Sequence, residues 1–329
     1  MVLLEKIILK KHSLNVNNFE LNSDYKHIAF GSDVHYIKSM GVTISSIIMN
    51  NPDQRFVFHI LIDQINDNDL KNFRAMIQLY PYLQIILYYV DVNVFKKLPM
   101  NNLWAYAMYY RFIVPHLLFE IADKVLYLDA DILCVNKLEE LYKIDFEKNI
   151  VLAVQDTYLD NISQRTELLG IKSGEYFNSG FLYIDIKRWC EAAISEKAIE
   201  LLEQDSGKYQ FWDQDVLNIL LEGKTKFIHS QWNYMYSLCS MEHRCPADTI
   251  FIHYITGDKP WRQWTEYHFM AQLYRKYINQ SLWSDFQYTK PINYKQFHRM
   301  AKSYWKRRMY IQWMYWNFKY MVGKVKHIF

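Results

Sequence analysis

The sequence predicts an α/β protein: a mixed, mostly parallel sheet flanked by helices, followed by a helical tail that is basic and aromatic. Three observations predict it. Short apolar runs of strand length alternate with stretches of helical periodicity from His27 to Tyr254. Several runs are apolar throughout, as strands buried on both faces are. The alternation ends near Pro260, and the chain beyond has a different charge character.

Residues 1–24, polar and rich in Asn and Lys, read as an extension ahead of the fold, and MVLLEKIILKK is too short and too charged for a secretion signal. Strands are expected over His27–Phe30, Phe56–Ile62, Ile85–Val90, Val125–Leu128, Val151–Gln155, Phe181–Asp185, Lys226–His229 and Thr249–Tyr254. Helices are expected over Ser39–Asn50, Asp67–Tyr80, Leu103–Leu118, Ile194–Glu203 and Gln214–Glu222. The second opens on good capping residues before Leu70, Phe73 and Ile77 at helical spacing. This gives one folded domain over 25–262 and a helical region over 263–329.

Of the 329 residues, 51% are hydrophobic and 22% charged, a balance that excludes a disordered or fibrous chain. No uncharged apolar run approaches the ~18–20 residues of a membrane-spanning helix. Four cysteines in this length fit a reducing compartment better than a disulfide framework. Cys239, His243 and Cys245, even with His253, match no usual zinc spacing. The net charge of +3 hides an asymmetry. Residues 286–329 hold ten Lys/Arg, no acids and 13 aromatics, leaving 28 Lys/Arg against 35 Asp/Glu in the body.

The sharpest motif is KVLYLDADI, Lys124–Ile132, an apolar strand running into Asp129 and Asp131. Positions i and i+2 of extended backbone share a side, and strand ends are where open α/β sheets place ligands. Two hard oxygen donors there suit Mg²⁺ or Mn²⁺; the plain alternative is a solvated pair of loop acids. A second apolar strand ends in His253, whose imidazole favours Mn²⁺, and Lys259 follows six residues on as a point charge for a phosphate. Alone, each reads as a packed histidine or a surface lysine; beside the two Asp, the functional reading gains. Asp213, Gln214 and Asp215 open a helix, where ordinary capping accounts for one acid but less well for the whole Trp-Asp-Gln-Asp run. Asn178-Ser179-Gly180 before a strand is a turn, or an amide and close backbone offered to a polyhydroxyl ligand. Ile28–Tyr36 is a strand, a glycine turn and a helix start, able to seat a nucleotide. No Gly-x-Gly-x-x-Gly occurs, and the P-loop glycine that Gly223-Lys224-Thr225 requires falls on Asn218.

Taken in order, Phe-Gly-Ser-Asp-x-x-Tyr, Tyr-Leu-Asp-Ala-Asp, Phe-Asn-Ser-Gly, Asp-Gln-Asp-x-Leu-Asn and His-Tyr-x-x-x-x-Lys-Pro-Trp resemble the family 8 glycosyltransferases over residues 27–262. The nearest likeness is to bacterial enzymes that add glucose or galactose to the lipopolysaccharide outer core. The resemblance implies a GT-A fold, with a Rossmann-like catalytic domain over 25–262 that binds a UDP-sugar and Mn²⁺, Mg²⁺ being the second choice. It implies transfer with retention of anomeric configuration. Carried residue by residue, it gives Asp129, Asp131 and His253 to the metal, and Asp33, His35 and Tyr36 to the uridine side. Arg111, Ala130, Asn178, Ser179 and Asp215 go to the donor, Gly257 and Lys259 to its diphosphate, and Asp213 and Gln214 to catalysis. His35 and Thr256 depart from relatives that carry Asn and Gly there. Gln214, an amide, is a poor nucleophile. Same-face attack is therefore expected, with the leaving phosphate oxygen taking the acceptor's proton.

The tail places basic residues around MYIQWMYWNF, a pattern suited to an anionic membrane surface. The expectation is peripheral attachment to the inner face of the bacterial inner membrane, in the cytoplasm, through residues 286–329. Nucleic acid is disfavoured by the acidic body, and packing of the aromatics on the core is the plain alternative. Two rival functions remain: a haloacid-dehalogenase-like phosphohydrolase using Asp129 as nucleophile, which lacks its later acidic pair, and a non-catalytic membrane adaptor. Another acceptor for the same hexosyl chemistry is a third possibility.

Overall fold

A computed structural model describes residues 7–15, 25–100, 105–239 and 244–328. The chain forms two compact units, Met1–Met235 with Ala247–His253, and Tyr236–Pro246 with Tyr254–Phe329.

In the first unit the strands are β1 (Ile8–Ser13), β2 (Tyr25–Ser32), β3 (Arg55–Ile62), β4 (Gln84–Val90), β5 (Lys124–Leu128) and β6 (Ile132–Cys134). Then come β7 (Val151–Gln155), β8 (Phe177–Asp185), β9 (Thr225–Phe227), β10 (Tyr234–Tyr236) and β11 (Phe251–Tyr254), the last two reaching into the second unit. Eight strands make one sheet in the order β1-β4-β3-β2-β5-β8-β7-β9. Strands β4, β3, β2 and β5 are parallel, and their continuous apolar runs are buried on both faces. Strand β8 then runs antiparallel between β5 and β7. All eight strands expected from the sequence are present, with shifted ends.

Residues 8–13 lie outside the expected domain but form an edge strand, pairing antiparallel with β4. Lys10, Lys11 and His12 hid it, because charge on an edge strand blocks further pairing and erases the apolar signal.

Helices α1 (Ile37–Asn50), α2 (Asp67–Leu79), α3 (Tyr110–Leu118), α4 (Ile162–Leu169), α5 (Ile186–Glu191), α6 (Ile194–Gln204) and α7 (Trp212–Leu220) belong to the same unit. The expected helix over 103–118 starts in residues outside those described and is helical from Tyr106, first as a 3-10 turn. Helix α1 carries a polar row at i, i+3 and i+7. Thr43 Oγ1 donates to Ile132 O at 2.6 Å, Ser46 Oγ accepts from Cys134 N at 3.0 Å, and Asn50 Nδ2 donates to Cys134 O at 3.1 Å. That row satisfies backbone groups of β6, a three-residue strand, and fixes the loop leading into it.

The second unit holds α8 (Phe269–Gln280), α9 (Tyr294–Lys306) and α10 (Tyr310–Ile328). Trp261 and Tyr254 pack on Tyr274 of α8, at 5.5 and 5.4 Å between ring centroids. Helices α9 and α10 form an antiparallel hairpin in which Phe297 meets Trp316, His298 meets Tyr320 and Trp305 meets Trp313. Gly323 lets the helices close, since a Cβ there would lie 3.0 Å from Tyr294 Cβ. The opposite side of α10 is apolar and exposed: Ile311 at 77%, Met314, Tyr315, Phe318 at 62%, Met321, Val322 and Val325. At 3.6 residues per turn these seven fall within an arc of about 120°.

In the large sheet His27, His59 and Tyr88 form a hydrogen-bonded row across three strands, at 3.0 and 3.1 Å. Burial lowers both histidines, His27 to about 4 and His59 well below the usual imidazole range. Unfolded histidines titrate near 6.5, so below that pH the unfolded chain binds more protons and stability falls. For His27 the loss extends down to about pH 4 and is on the order of 3 kcal/mol. Urea midpoints should therefore drop between pH 6.5 and 4, and replacing both histidines with Gln should flatten that slope. An unchanged slope would refute the assignment.

Candidate active site

Asp129 leaves the end of β5, Asp131 follows in the turn, and β6 begins at Ile132. Strand β11 pairs antiparallel with β6 so that His253 stands opposite Ile132, beside Asp131. His253 Nε2 lies 3.2 Å from Asp131 Oδ1 and 3.9 Å from Asp129 Oδ2. One ligand atom from each of the three residues falls within 4.8 Å of the others. On the far side β8 runs back past β5, and Asp129 N donates to Gly180 O at 2.9 Å. Gly180 is required by space: a Cβ there would lie 2.6 Å from Asp129 Oδ2 and closer still to the His253 ring. That role escaped the sequence reading, in which Asn178-Ser179-Gly180 was a turn, or an amide and close backbone offered to a polyhydroxyl ligand.

These three residues fit a divalent cation. Their facing atoms are two carboxylate oxygens and an imidazole nitrogen, all acceptors when the ring is neutral, and two hard oxygens with one imidazole suit Mn²⁺. The zinc alternative gains nothing: His243 lies outside the described residues, and Cys239 Sγ donates to Asp258 Oδ2 at 3.2 Å.

Behind the metal ligands, Arg111 of α3 reaches across the site and is only 4% exposed. Its Nη2 donates to Asp129 Oδ1 at 2.8 Å, its Nη1 to Ser179 O and Oγ at 2.6 Å each, and Nη1 stands 3.2 Å from Asp213 Oδ2. The guanidinium also lies over the Tyr127 ring. Burial opposes its charge, but Asp129 and then Asp213 outweigh this, so it is held protonated more firmly than usual. Burial in turn pushes the Asp213 carboxyl upward, against the pull of Arg111.

Helix α7 supplies Asp213 and Gln214. Gln214 Oε1 accepts from Ser179 N at 3.0 Å and Asn178 Nδ2 at 3.2 Å, while its Nε2 donates to Asp156 Oδ2 at 3.1 Å. Asn178 Oδ1 accepts from Gly180 N and from Asn233 Nδ2, both at 3.1 Å. Asn233, 0% exposed, also meets His253 Nδ1 at 3.1 Å. Asp156 and Asn233 were absent from the expected site. The signal for Asp156 was present, since it closes the apolar strand β7 as Asp129 closes β5; Asn233 belongs to no motif.

Asp215 takes a different direction. Fully buried, it pairs with Arg165 through both carboxylate oxygens and accepts from Tyr176 Oη at 2.6 Å and Phe211 N at 2.8 Å. Its carboxylate is thus engaged by the protein rather than turned toward Asp213 and Gln214. At the end of β2, Asp33 Oδ1 accepts from His35 N at 2.9 Å and Tyr36 N at 3.2 Å, which shapes the turn into α1 and leaves His35 exposed. Ala130 O accepts from Thr43 Oγ1. In the second unit Gly257 is exposed, and Lys259 is buried with Nζ donating to Tyr254 O at 2.6 Å. Thr256 adopts a left-handed φ of 69°, a conformation that suits glycine.

The phosphohydrolase alternative loses ground here. Asp258, the one acid near its required late pair, is bound to Trp264 Nε1 at 2.7 Å and to Arg299.

Residues 27–265 match the profile of "Glycosyl transferase family 8". A lipopolysaccharide 1,3-galactosyltransferase of Salmonella typhimurium is 33% identical, the match covering 92% of this chain and 93% of that protein. The lipopolysaccharide glucosyltransferase WaaO of Escherichia coli K12 is also 33% identical, over 98% and 97%. Among solved structures, the galactosyltransferase LgtC in complex with donor and acceptor sugar analogs superposes with a TM-score of 0.66 at 25% identity, covering 78% of this chain and 96% of that one. The sheet is of the GT-A type expected from the motifs, and the chain belongs to glycosyltransferase family 8.

Proposed function

We propose that this protein is a retaining hexosyltransferase that moves glucose or galactose from a UDP-sugar to the core oligosaccharide of lipopolysaccharide, using Mn²⁺ or Mg²⁺. The observation that carries this reading is the convergence of Asp129, Asp131 and His253 in a chain of this family. The relatives support the acceptor through their names, and they divide over the sugar, one being a galactosyl- and one a glucosyltransferase.

Asp129, Asp131 and His253 would hold the cation, which when bound supplies Lewis-acid stabilisation to the leaving diphosphate. Asp33, His35 and Tyr36 take the uridine, Tyr36 by stacking, and Gly257 and Lys259 take the diphosphate, by resemblance alone. Breaking the sugar–phosphate bond leaves positive charge on the sugar ring. Asp213 and the Gln214 carbonyl dipole are the groups to stabilise it, and both are held rigidly by Ser179. Arg111, Asn178 and Ser179 line the donor sugar; Arg111 also bridges the carboxylates of Asp129 and Asp213. An amide at Gln214 argues for same-face attack, the leaving phosphate oxygen receiving the acceptor's proton. A glycosyl adduct on Asp213 or Gln214, trapped and seen by mass spectrometry, would overturn that route.

The tail supports attachment to an anionic membrane surface on the cytoplasmic side, where a lipid-linked acceptor is made. No helix among the described residues is long and apolar enough to cross a membrane. The exposed stripe of α10 and the acid-free charge of 286–329 suit one that lies on it.

UDP release should be measured with UDP-glucose and UDP-galactose, with and without truncated lipopolysaccharide, in Mn²⁺ or EDTA. One donor should turn over, faster with acceptor, and EDTA should abolish it; equal turnover in EDTA sinks the metal role. Asp131→Asn should lower kcat by about 100-fold or more. Gly180→Ala should weaken Mn²⁺ binding in a titration of the folded protein, because its Cβ displaces two ligands; unchanged affinity would contradict the packing. In the full chain, the pair Ile311→Glu and Phe318→Glu should stop sedimentation with anionic vesicles while UDP release from free donor persists. Continued sedimentation would rule out α10 as the contact.

A further inference from the structure

We propose that Asp156 is a positioning residue for the reaction: it anchors an amide chain that sets the orientation of the Gln214 carboxamide and, through Asn178 and Asn233, the tautomer of His253. The inference rests on the metal reading of His253 given above. Three groups fix the direction of every hydrogen bond. The Asp156 carboxylate only accepts, and the backbone N–H groups of Ser179 and Gly180 only donate.

Gln214 lies between Asp156 Oδ2 at 3.1 Å and Ser179 N at 3.0 Å, so its Nε2 must face the first and its Oε1 the second. Asn178 lies between Gly180 N at 3.1 Å and the acceptors Gln214 Oε1 at 3.2 Å and Asp156 Oδ2 at 3.4 Å. Its Oδ1 must therefore face Gly180, with Nδ2 toward the acceptors. Asn178 Oδ1 then receives Asn233 Nδ2, which turns Asn233 Oδ1 to His253 Nδ1. An amide oxygen only accepts, so Nδ1 carries a ring proton, and in the neutral ring Nε2 then keeps its lone pair toward Asp129 and Asp131. A metal-binding imidazole needs that tautomer, and the group on its other nitrogen selects it. Asp156 itself is fixed by Tyr158 N and Leu159 N, which donate to Oδ1 at 3.0 and 3.2 Å. One carboxylate thus orders a proposed catalytic amide and a proposed metal ligand.

Asp156→Asn tests this with almost no change of shape. Its Oδ1 can still accept from Tyr158 and Leu159, but an amide NH₂ then faces Gln214 Nε2 and Asn178 Nδ2, donor against donor. Turning Gln214 over sets its NH₂ against Ser179 N–H; turning Asn178 over sets its NH₂ against Gly180 N–H and Asn233. The chain loses its direction either way.

The first readout is the ¹⁵N spectrum of histidine-labelled, metal-free protein at alkaline pH, where imidazole is neutral, with His253 assigned from His253→Gln. The wild type should show the proton on Nδ1, and Asp156→Asn a shift toward a mixture. The second is Mn²⁺ affinity by electron paramagnetic resonance, expected to weaken by about 10- to 100-fold in Asp156→Asn, with the circular dichroism spectrum unchanged. A wild-type proton on Nε2 would overturn the proposal, as would an Asp156→Asn protein with wild-type tautomer and affinity. Because the tautomer is read without metal or substrate, failure to transfer a hexose would sink the functional reading and leave this result independent.

Discussion

Arg111 lies between two carboxylates, Asp129 and Asp213, that would repel each other at this burial without it. Three elements converge on this one guanidinium: Asp129 ends β5, Asp213 opens α7, and Ser179 belongs to β8. Removing one partner of a buried ion pair strands the other charge, at a cost of about 3–5 kcal/mol. Arg111 therefore holds the geometry of the site before any ligand arrives. With Oδ1 of Asp129 committed to Arg111, Oδ2 is the oxygen turned toward His253 and the space Gly180 leaves. Packing, charge and ligand direction are one constraint here.

The same spacing of two acids has opposite meanings in the two halves of the site, and only one half was legible. Asp129 leaves the end of a strand and Asp131 follows in the turn after it, and both converge with His253. Asp213 and Asp215 lie in a helix, where two positions differ by about 200°. They part accordingly, Asp213 to Arg111 and Asp215 to Arg165 and Tyr176. The resemblance turned Asp213, Gln214 and Asp215 alike toward the donor, whereas the helix sends the Asp215 side chain to Arg165 and Tyr176. The parallel strands were legible because burial on both faces makes them apolar throughout. Strands β1 and β6 were not, one being charged at an edge and the other three residues long and held by side chains of α1.

What sequence motifs omit is the layer of uncharged amides behind the charged groups. Asn178, Asn233 and Gln214 each give and receive hydrogen bonds, so an amide chain transmits direction where a carboxylate only anchors it. Asn233 sits ahead of β11 without a recognisable neighbour pattern; its meaning depends on β11 pairing with β6 and bringing His253 within reach. Thr256 is a contrasting case, where the sequence departure was visible and the structure supplies the physical consequence. A β-branched residue at a φ of 69° carries strain that glycine would not. That strain sits one residue before Gly257 and three before Lys259, in the short loop after β11.

The tail shows how packing resolves an ambiguity that composition leaves open. Aromatics beside lysines suit a core helix and a surface helix equally. In α10 both occur, on different faces: Trp313, Trp316 and Tyr320 turn to α9, while Ile311, Met314, Phe318 and Val325 turn outward. The hairpin thus satisfies one side and leaves a second apolar stripe in water, an arrangement monomeric proteins avoid unless something covers it. A protein partner with a complementary face would be expected to meet a basic rim with acids of its own. A bilayer surface rich in anionic lipid offers the charge and the apolar layer together, at the depth a single helix face reaches. The lysines around α10 and its outward stripe match those two layers, in keeping with the attachment proposed above.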